Sequence, residues 1–145
     1  MSLEYDITRS EKDGLICSSN RNEIDYKKAL FLLNNTHWAA NLSLAVLLQS
    51  AKNSMCFSVS DLGNLISFSR VITDLSTFGY LSDFVVDSTY RDKGVGQWMI
   101  QQILLHPQLK GLRRISLLTK NASAFYEKAG FRIGAGDKTY MEYIN

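Results

Sequence analysis

The apolar positions of this chain change their period several times, and each change marks an element. Ile24, Ala29, Leu30, Leu32 and Leu33 recur at helical spacing from Glu23 to Asn34-Asn35. Leu44, Leu47 and Leu48 repeat the pattern in a second helix, from Leu42 or Ser43 to about Lys52. Three extended runs follow, Met55 to Val59, Leu65 to Thr73 and Phe78 to Val86, separated by the turn sequences Asp61-Leu-Gly-Asn64 and Asp74-Leu-Ser-Thr77. Turns this short force antiparallel neighbours. Upstream, Tyr5 to Arg9 and Leu15 to Ser18 read as a first strand or opening hairpin around Asp13-Gly14, a hairpin dipeptide.

Beyond Val86 the period changes again. Val95, Met99, Ile100, Ile103 and Leu104 share one face of a helix that ends at His106, and Pro107 and Gly111 break the chain before Arg114-Ile-Ser-Leu-Leu-Thr119. Strand, helix and strand in that order make a crossover with the two strands parallel. Ala122 to Ala129 reads as a short helix with Asn121 as N-cap and Gly130 as left-handed terminator, and a last strand runs from Phe131, continued by Thr139 to Tyr143. The predicted class is α/β (α+β): a mixed, mainly antiparallel sheet with a central parallel β-α-β crossover and about four flanking helices.

The junction inside that crossover carries the chemistry. Arg91-Asp-Lys-Gly-Val-Gly96 lies between a strand and a helix, so the first amides of the helix point outward unpaired, and glycines let an anion approach them. Taken alone, two such glycines mean a tight strand-to-helix turn. Met99 stands where a dinucleotide loop needs its third glycine, and no Gly-Lys-Ser/Thr run is present, so both nucleotide fingerprints are excluded. What remains is Arg/Gln-x-x-Gly-x-Gly/Ala at Arg91, Gly94 and Gly96. Further on comes Asn121-Ala-Ser-Ala-Phe-Tyr-Glu-Lys-Ala-Gly-Phe131. In this order and separation the two segments resemble the coenzyme-binding motifs of the GCN5-related N-acetyltransferase (GNAT) superfamily.

The resemblance implies a single acetyltransferase domain over residues 1–145 that moves the acetyl group of acetyl-CoA, its co-substrate, to an amine acceptor. It implies that Arg91, Asp92, Lys93, Gly94, Val95, Gly96 and Gln97 hold the pyrophosphate, with Lys93 as an ionic helper. Backbone groups of Phe84, Val85 and Val86 would serve the pantetheine and the thioester oxygen, on a strand that bulges and splays from its parallel neighbour. Tyr126 would lie near the sulfur and protonate the leaving thiolate, which a phenol of pKa about 10 can do at neutral pH. The superfamily form has Asn seven residues before this tyrosine, where Thr119 stands here, so Asn121 is either a coenzyme contact or only the helix cap. The general base is open between Asp83 on the central strand and Asp74 at the turn before it; desolvation would raise a strand carboxylate toward a base's range. Asp83 equally suits an anchor for a cationic substrate or a structural hydrogen-bond partner, and Glu127 reads as solvated. The loop from Asn34 to Asn41, with His37 and Trp38, would edge the acceptor cleft, although Trp38 also suits a staple between two helices. A rival reading on the same fold is a non-catalytic acyl-CoA-binding regulatory module.

Composition narrows the rest. At 145 residues, 46% hydrophobic and 21% charged, the chain suits one globular domain. A formal charge of +2 does not mark a nucleic-acid binder, although Arg91, Lys93, Lys110, Arg113 and Arg114 would together suit a polyphosphate, with Lys110 and Arg113 better read as a solvated rim. The first ten residues hold Glu4 and Asp6 and no apolar core, and no run is long enough to span a bilayer, so a cytoplasmic protein with no membrane partner, monomer or homodimer, is expected. Cys17, Cys56, His37 and His106 have no metal-site spacing, so no metal is expected.

Overall fold

Two hairpin turns with both central residues at positive φ set up the sheet. In the computed structural model, which describes residues 2–134 and 136–145, Asp13 (φ 51°) and Gly14 (φ 82°) join β1 (Arg9–Lys12) to β2 (Leu15–Ser18). Leu62 (φ 49°) and Gly63 (φ 82°) join β3 (Met55–Asp61) to β4 (Asn64–Thr73). Mirror-image turns of this kind match the twist of the flanking strands. With β5 (Phe78–Val86) and β6 (Arg114–Ser116), the described residues form a six-stranded sheet in chain order, antiparallel throughout except for the parallel pair β5 and β6.

The expected mixed sheet and crossover are therefore present. The crossover is α3 (Val95–Leu105) followed by α4 (Pro107–Lys110), and the remaining helices are α1 (Tyr26–Asn34), α2 (Leu44–Lys52) and α5 (Ser123–Lys128). Five helices appear among the described residues, not about four, because His106 leaves the helical region (ψ 130°) and Pro107 starts a new turn. The buried His106 ring accepts the Gln108 amide at Nδ1 (3.1 Å) and donates from Nε2 to the Asp6 carbonyl (2.8 Å), which makes it a tether for the N-terminal segment. The first strand begins only at Arg9. Tyr5, expected to start it, turns in to accept the Cys56 amide at 3.0 Å, its ring under the Arg21 guanidinium.

One face of the sheet packs on α3 and α4 through Met55, Phe57, Val59, Ile66, Met99 and Ile100; the other packs on α1 and α2 through Cys56, Leu65, Phe68, Leu33 and Leu47. Strict alternation fails twice. The β3–β4 register skips Ile66, and the β4–β5 register slips between Phe68 and Arg70, opposite Asp83 and Phe84. Asp83 sits at φ 55° there. A bulge moves every later side chain to the opposite face, so Leu81 belongs to the α3 side and Val85 to the α1 side.

The strand expected from Phe131 and over Thr139 to Tyr143 is not formed: residues 131–134 and 136–145 carry no strand. β6 pairs through only three residues, so it offers little edge to extend, and Ile133, Met141, Tyr143 and Ile144 stay largely exposed, with no face to bury.

Phe68 is fully buried beneath α1 and meets Tyr26 edge-on. Phe68→Ala is expected to cost about 3–5 kcal/mol in urea unfolding with an unchanged slope, whereas Ile72→Ala, half-exposed on the same strand, should stay within about 0.5 kcal/mol.

Candidate functional site

β5 and β6 stay paired only from Phe78 with Arg114 to Tyr80 with Ser116, and then part. Between them opens a cleft of about 1180 Å³, walled by β5 from Leu81 to Val86 on one side and by residues 117–122 with α5 on the other. Beyond Tyr80 the β6-side edge of β5 has no partner strand among the described residues, so backbone groups there are available to a ligand. At one end lies the start of α3. Gly94 caps that helix in the left-handed region (φ 81°), a conformation that suits glycine, and an ideal Cβ on it would meet nothing within 4 Å. The amides of Val95, Gly96 and Gln97 make no backbone hydrogen bond among the described residues. An eleven-residue helix ending on such a cleft favours an anion there.

Gly96 does something the spacing did not reveal. A Cβ there would lie 2.9 Å from Cζ of Phe125, so the absent side chain is what lets α5 lie against α3. Gln97, expected to touch a coenzyme, also donates to the Phe125 carbonyl at 2.7 Å and ties the same two helices. Asn121 does not cap α5: the first residue outside the helix is Ala122, without a side-chain cap, and its amide is taken by Thr119 Oγ1 at 3.1 Å. This bond holds the chain just before the helix and is not an N-cap bond, which would reach the second or third helical amide.

Packed this way, α5 brings Phe125 and Tyr126 over Phe84, with ring centroids 5.6 and 5.9 Å from it, and Phe131 closes behind Tyr126 at 5.9 Å. Desolvation by these rings pushes the Tyr126 phenol up to about 12. Its hydroxyl makes no hydrogen bond among the described residues and is not sealed from the cleft.

Of the other expected residues, Phe84, Val85, Val86, Arg91, Asp92, Gly94, Val95, Gly96, Gln97, Asn121, His37 and Trp38 line the cleft. Lys93 stands outside it, its ammonium 5.6 Å from the Tyr90 ring centroid. Asp74 is also elsewhere. Its carboxylate accepts the Thr77 hydroxyl (2.6 Å) and the amides of Ser76 and Thr77, and these bonds, Thr77's hydroxyl foremost, hold its pKa well below the usual carboxylate range. It builds the β4–β5 turn. Lys110, Arg113 and Arg114 lie toward the Phe78 end of β5, away from the Arg91 loop that follows Val86; Lys120 and Lys128, which sequence reasoning passed over, line the cleft instead. Trp38, with His37 edge-on at 5.1 Å, is 53% exposed at the cleft mouth and is no staple between helices.

Arg70 was missed as well. Its Nε donates to Asp83 Oδ2 at 2.6 Å, in an ion pair more than four-fifths buried on both sides. The pair borders a second, smaller pocket of about 320 Å³ that also touches His37, Trp38 and Leu42. Asp83 therefore stands between the two spaces. A lone cation in the otherwise apolar and small Ile66-Ser-Phe-Ser-Arg70 run was the available signal.

Residues 52–133 match the acetyltransferase (GNAT) domain family. The chain is 28% identical to a candidate acetyltransferase of Gibberella zeae, over 83% of this chain and 76% of that protein. It is similar to the crystal structure of a candidate GNAT-family acetyltransferase from Xanthomonas campestris pv. campestris, with a TM-score of 0.85 and 31% identity over 90% of this chain and 93% of that one. A GNAT-family acetyltransferase from Elizabethkingia anophelis, solved with acetyl-CoA bound, shares the fold at a TM-score of 0.65 and 18% identity, over 86% and 80% of the two chains.

The Gly96 contact is open to a double-mutant cycle. Gly96→Ala should destabilise the protein more when Phe125 is present than when it is replaced by leucine, with a coupling of about 0.5–3 kcal/mol in chemical denaturation. Zero coupling would mean that the ring does not bear on Gly96. Gly111→Ala, which meets nothing within 4 Å at a negative φ, is the neutral control.

Proposed function

Because the chain belongs to the GNAT acetyltransferase family, we propose that it transfers the acetyl group of acetyl-CoA to a primary amine of a small molecule, peptide or protein, by direct attack in a ternary complex within the single domain 1–145. The observation that carries this reading is the meeting of two spaces at Asp83, a long cleft ending on the α3 amides and a small pocket beyond the strand. One suits the coenzyme and the other the acceptor.

Acetyl-CoA supplies the activated acetyl thioester and a pyrophosphate by which it is held. The amides at the start of α3 and the Arg91 side chain, whose Nε already leans on the Val86 carbonyl at 3.3 Å, supply donors for that anion. The unpaired edge of β5 at Phe84, Val85 and Val86 supplies backbone partners for the pantetheine and a donor for the thioester oxygen. Asp83 keeps one oxygen, Oδ1, free of Arg70 and offers it to the amine, as base or anchor. Tyr126, still a phenol at neutral pH, gives its proton to the departing sulfur. In each turnover a C–N bond forms as the C–S bond breaks, and the ammonium nitrogen loses two protons, one balanced at sulfur and one released to solvent.

Two variants test this. Arg91→Ala should weaken acetyl-CoA binding by about 10- to 100-fold in calorimetry, as expected for a lost charge-assisted hydrogen bond, and undiminished affinity would remove the α3 loop as the coenzyme site. Tyr126→Phe should bind acetyl-CoA almost normally while kcat falls on the order of 10- to 10³-fold, less so as pH nears the thiol pKa of about 8.5, where the thiolate needs its proton least. A non-catalytic binder would show no turnover to lose. The same variant carries a stability signature. The buried phenol's pKa is raised from 10.0 to about 12, so it favours folding fully below pH 10, and that contribution is lost as pH rises through 12. Wild type should lose stability relative to Tyr126→Phe across that window.

A further inference from the structure

The smaller pocket presents an unusual pair of polar groups. Arg70 spends only Nε on Asp83, and its two terminal nitrogens make no hydrogen bond among the described residues although they are not sealed from solvent. Asp83 likewise commits Oδ2 and leaves Oδ1 open. A residue with a free forked donor and one with a free carboxylate oxygen thus border the same small space, within one ion pair. A simple amine would satisfy Asp83 and cover the guanidinium fork without an acceptor, and a buried donor left unpaired is costly. A ligand bearing a carboxylate beside its amine satisfies both, because a planar guanidinium binds carboxylate through two parallel N–H bonds.

Size and lining narrow the ligand further. A volume of about 320 Å³ is at the lower end of small-molecule sites, and around the ion pair the pocket mixes Trp38, Leu42 and Val46 with His37, Asn41 and Ser50. Resting on the acetyltransferase reading, we infer that the acceptor is a small free α-amino acid, its carboxylate on the outer nitrogens of Arg70 and its amine on Asp83. The amine then stands at the border with the coenzyme cleft, since Asp83 lines both. Acetylation removes the ammonium charge. The product keeps its hold on Arg70 and loses its attraction to Asp83, which favours release.

The test varies the acceptor before it varies the protein. With saturating acetyl-CoA and free thiol as the readout, leucine should exceed leucinamide, 3-methylbutylamine and a peptide with N-terminal leucine by on the order of 10- to 100-fold in kcat/KM. Arg70→Lys keeps a cation beside Asp83 but not the fork, so the ratio of kcat/KM for leucine to that for leucinamide should fall most of the way to one, whatever the change in the absolute rates. Equal rates for leucine and leucinamide in wild type would overturn the amino-acid assignment while leaving acetyl transfer intact. If no amine releases thiol, acetyl transfer itself fails, and calorimetric titration of leucine into the protein with coenzyme A decides the pocket. Binding that weakens in Arg70→Lys upholds the zwitterion site, and no heat at millimolar leucine refutes it.

Discussion

The site depends on one irregularity in the central strand. At Asp83 the backbone of β5 takes φ 55°, which costs a non-glycine residue roughly 1 kcal/mol or more. Two contacts with β4 hold it there: the Arg70 ion pair at 2.6 Å and the hydrogen bond from Ser69 Oγ to the Ser82 carbonyl at 3.1 Å. Past that residue the alternation is inverted. Val85 can then fill the α1 layer while Phe84 turns to the rings of α5. In a regular strand the side chains beyond Asp83 would exchange faces, burying Val85 in the wrong layer and withdrawing Phe84 from Tyr126.

The two walls of the cleft are joined by close contacts at the start of α3. Gly96 admits the Phe125 ring, Gln97 binds the Phe125 carbonyl, and Thr119 takes the first free amide before α5. Two sequence segments that resemble separate ligand-binding motifs are therefore also one packing unit. The glycine that reads as room for an anion is equally room for an aromatic ring.

Much of this could be read from the chain. The strands from Met55 to Val86, the Asp-Gly and Leu-Gly turns and the parallel crossover follow from local composition and period, and most of the cleft lining from the resemblance of two segments to the superfamily's motifs. What could not be read is what depends on distance. Arg70 and Asp83 are thirteen positions apart, and nothing local says that a register slip brings them to 2.6 Å. Asn121 is a good intrinsic cap, yet α5 starts one residue later, with Ala122 outside it and no side chain capping it. Asp74 had the right chemistry for a base but is committed to its own turn. The apolar alternation after Phe131 suits a strand, and alternation does not supply a partner edge.

Strand order in this sheet follows chain order, and that bears on how the molecule opens. β3, β4 and β5 are neighbours through short turns, whereas the β5–β6 seam closes over the whole crossover with three residue pairs along it. Of all the pairings in the sheet, this seam has the least to hold it, so sub-global opening is expected to start there, while the antiparallel strands stay protected from exchange. A ligand lying in the cleft touches both sides of the seam. By mass action, occupancy adds to the free energy of opening, so the lifetime of the closed sheet edge rises with the concentration of the molecule bound in it.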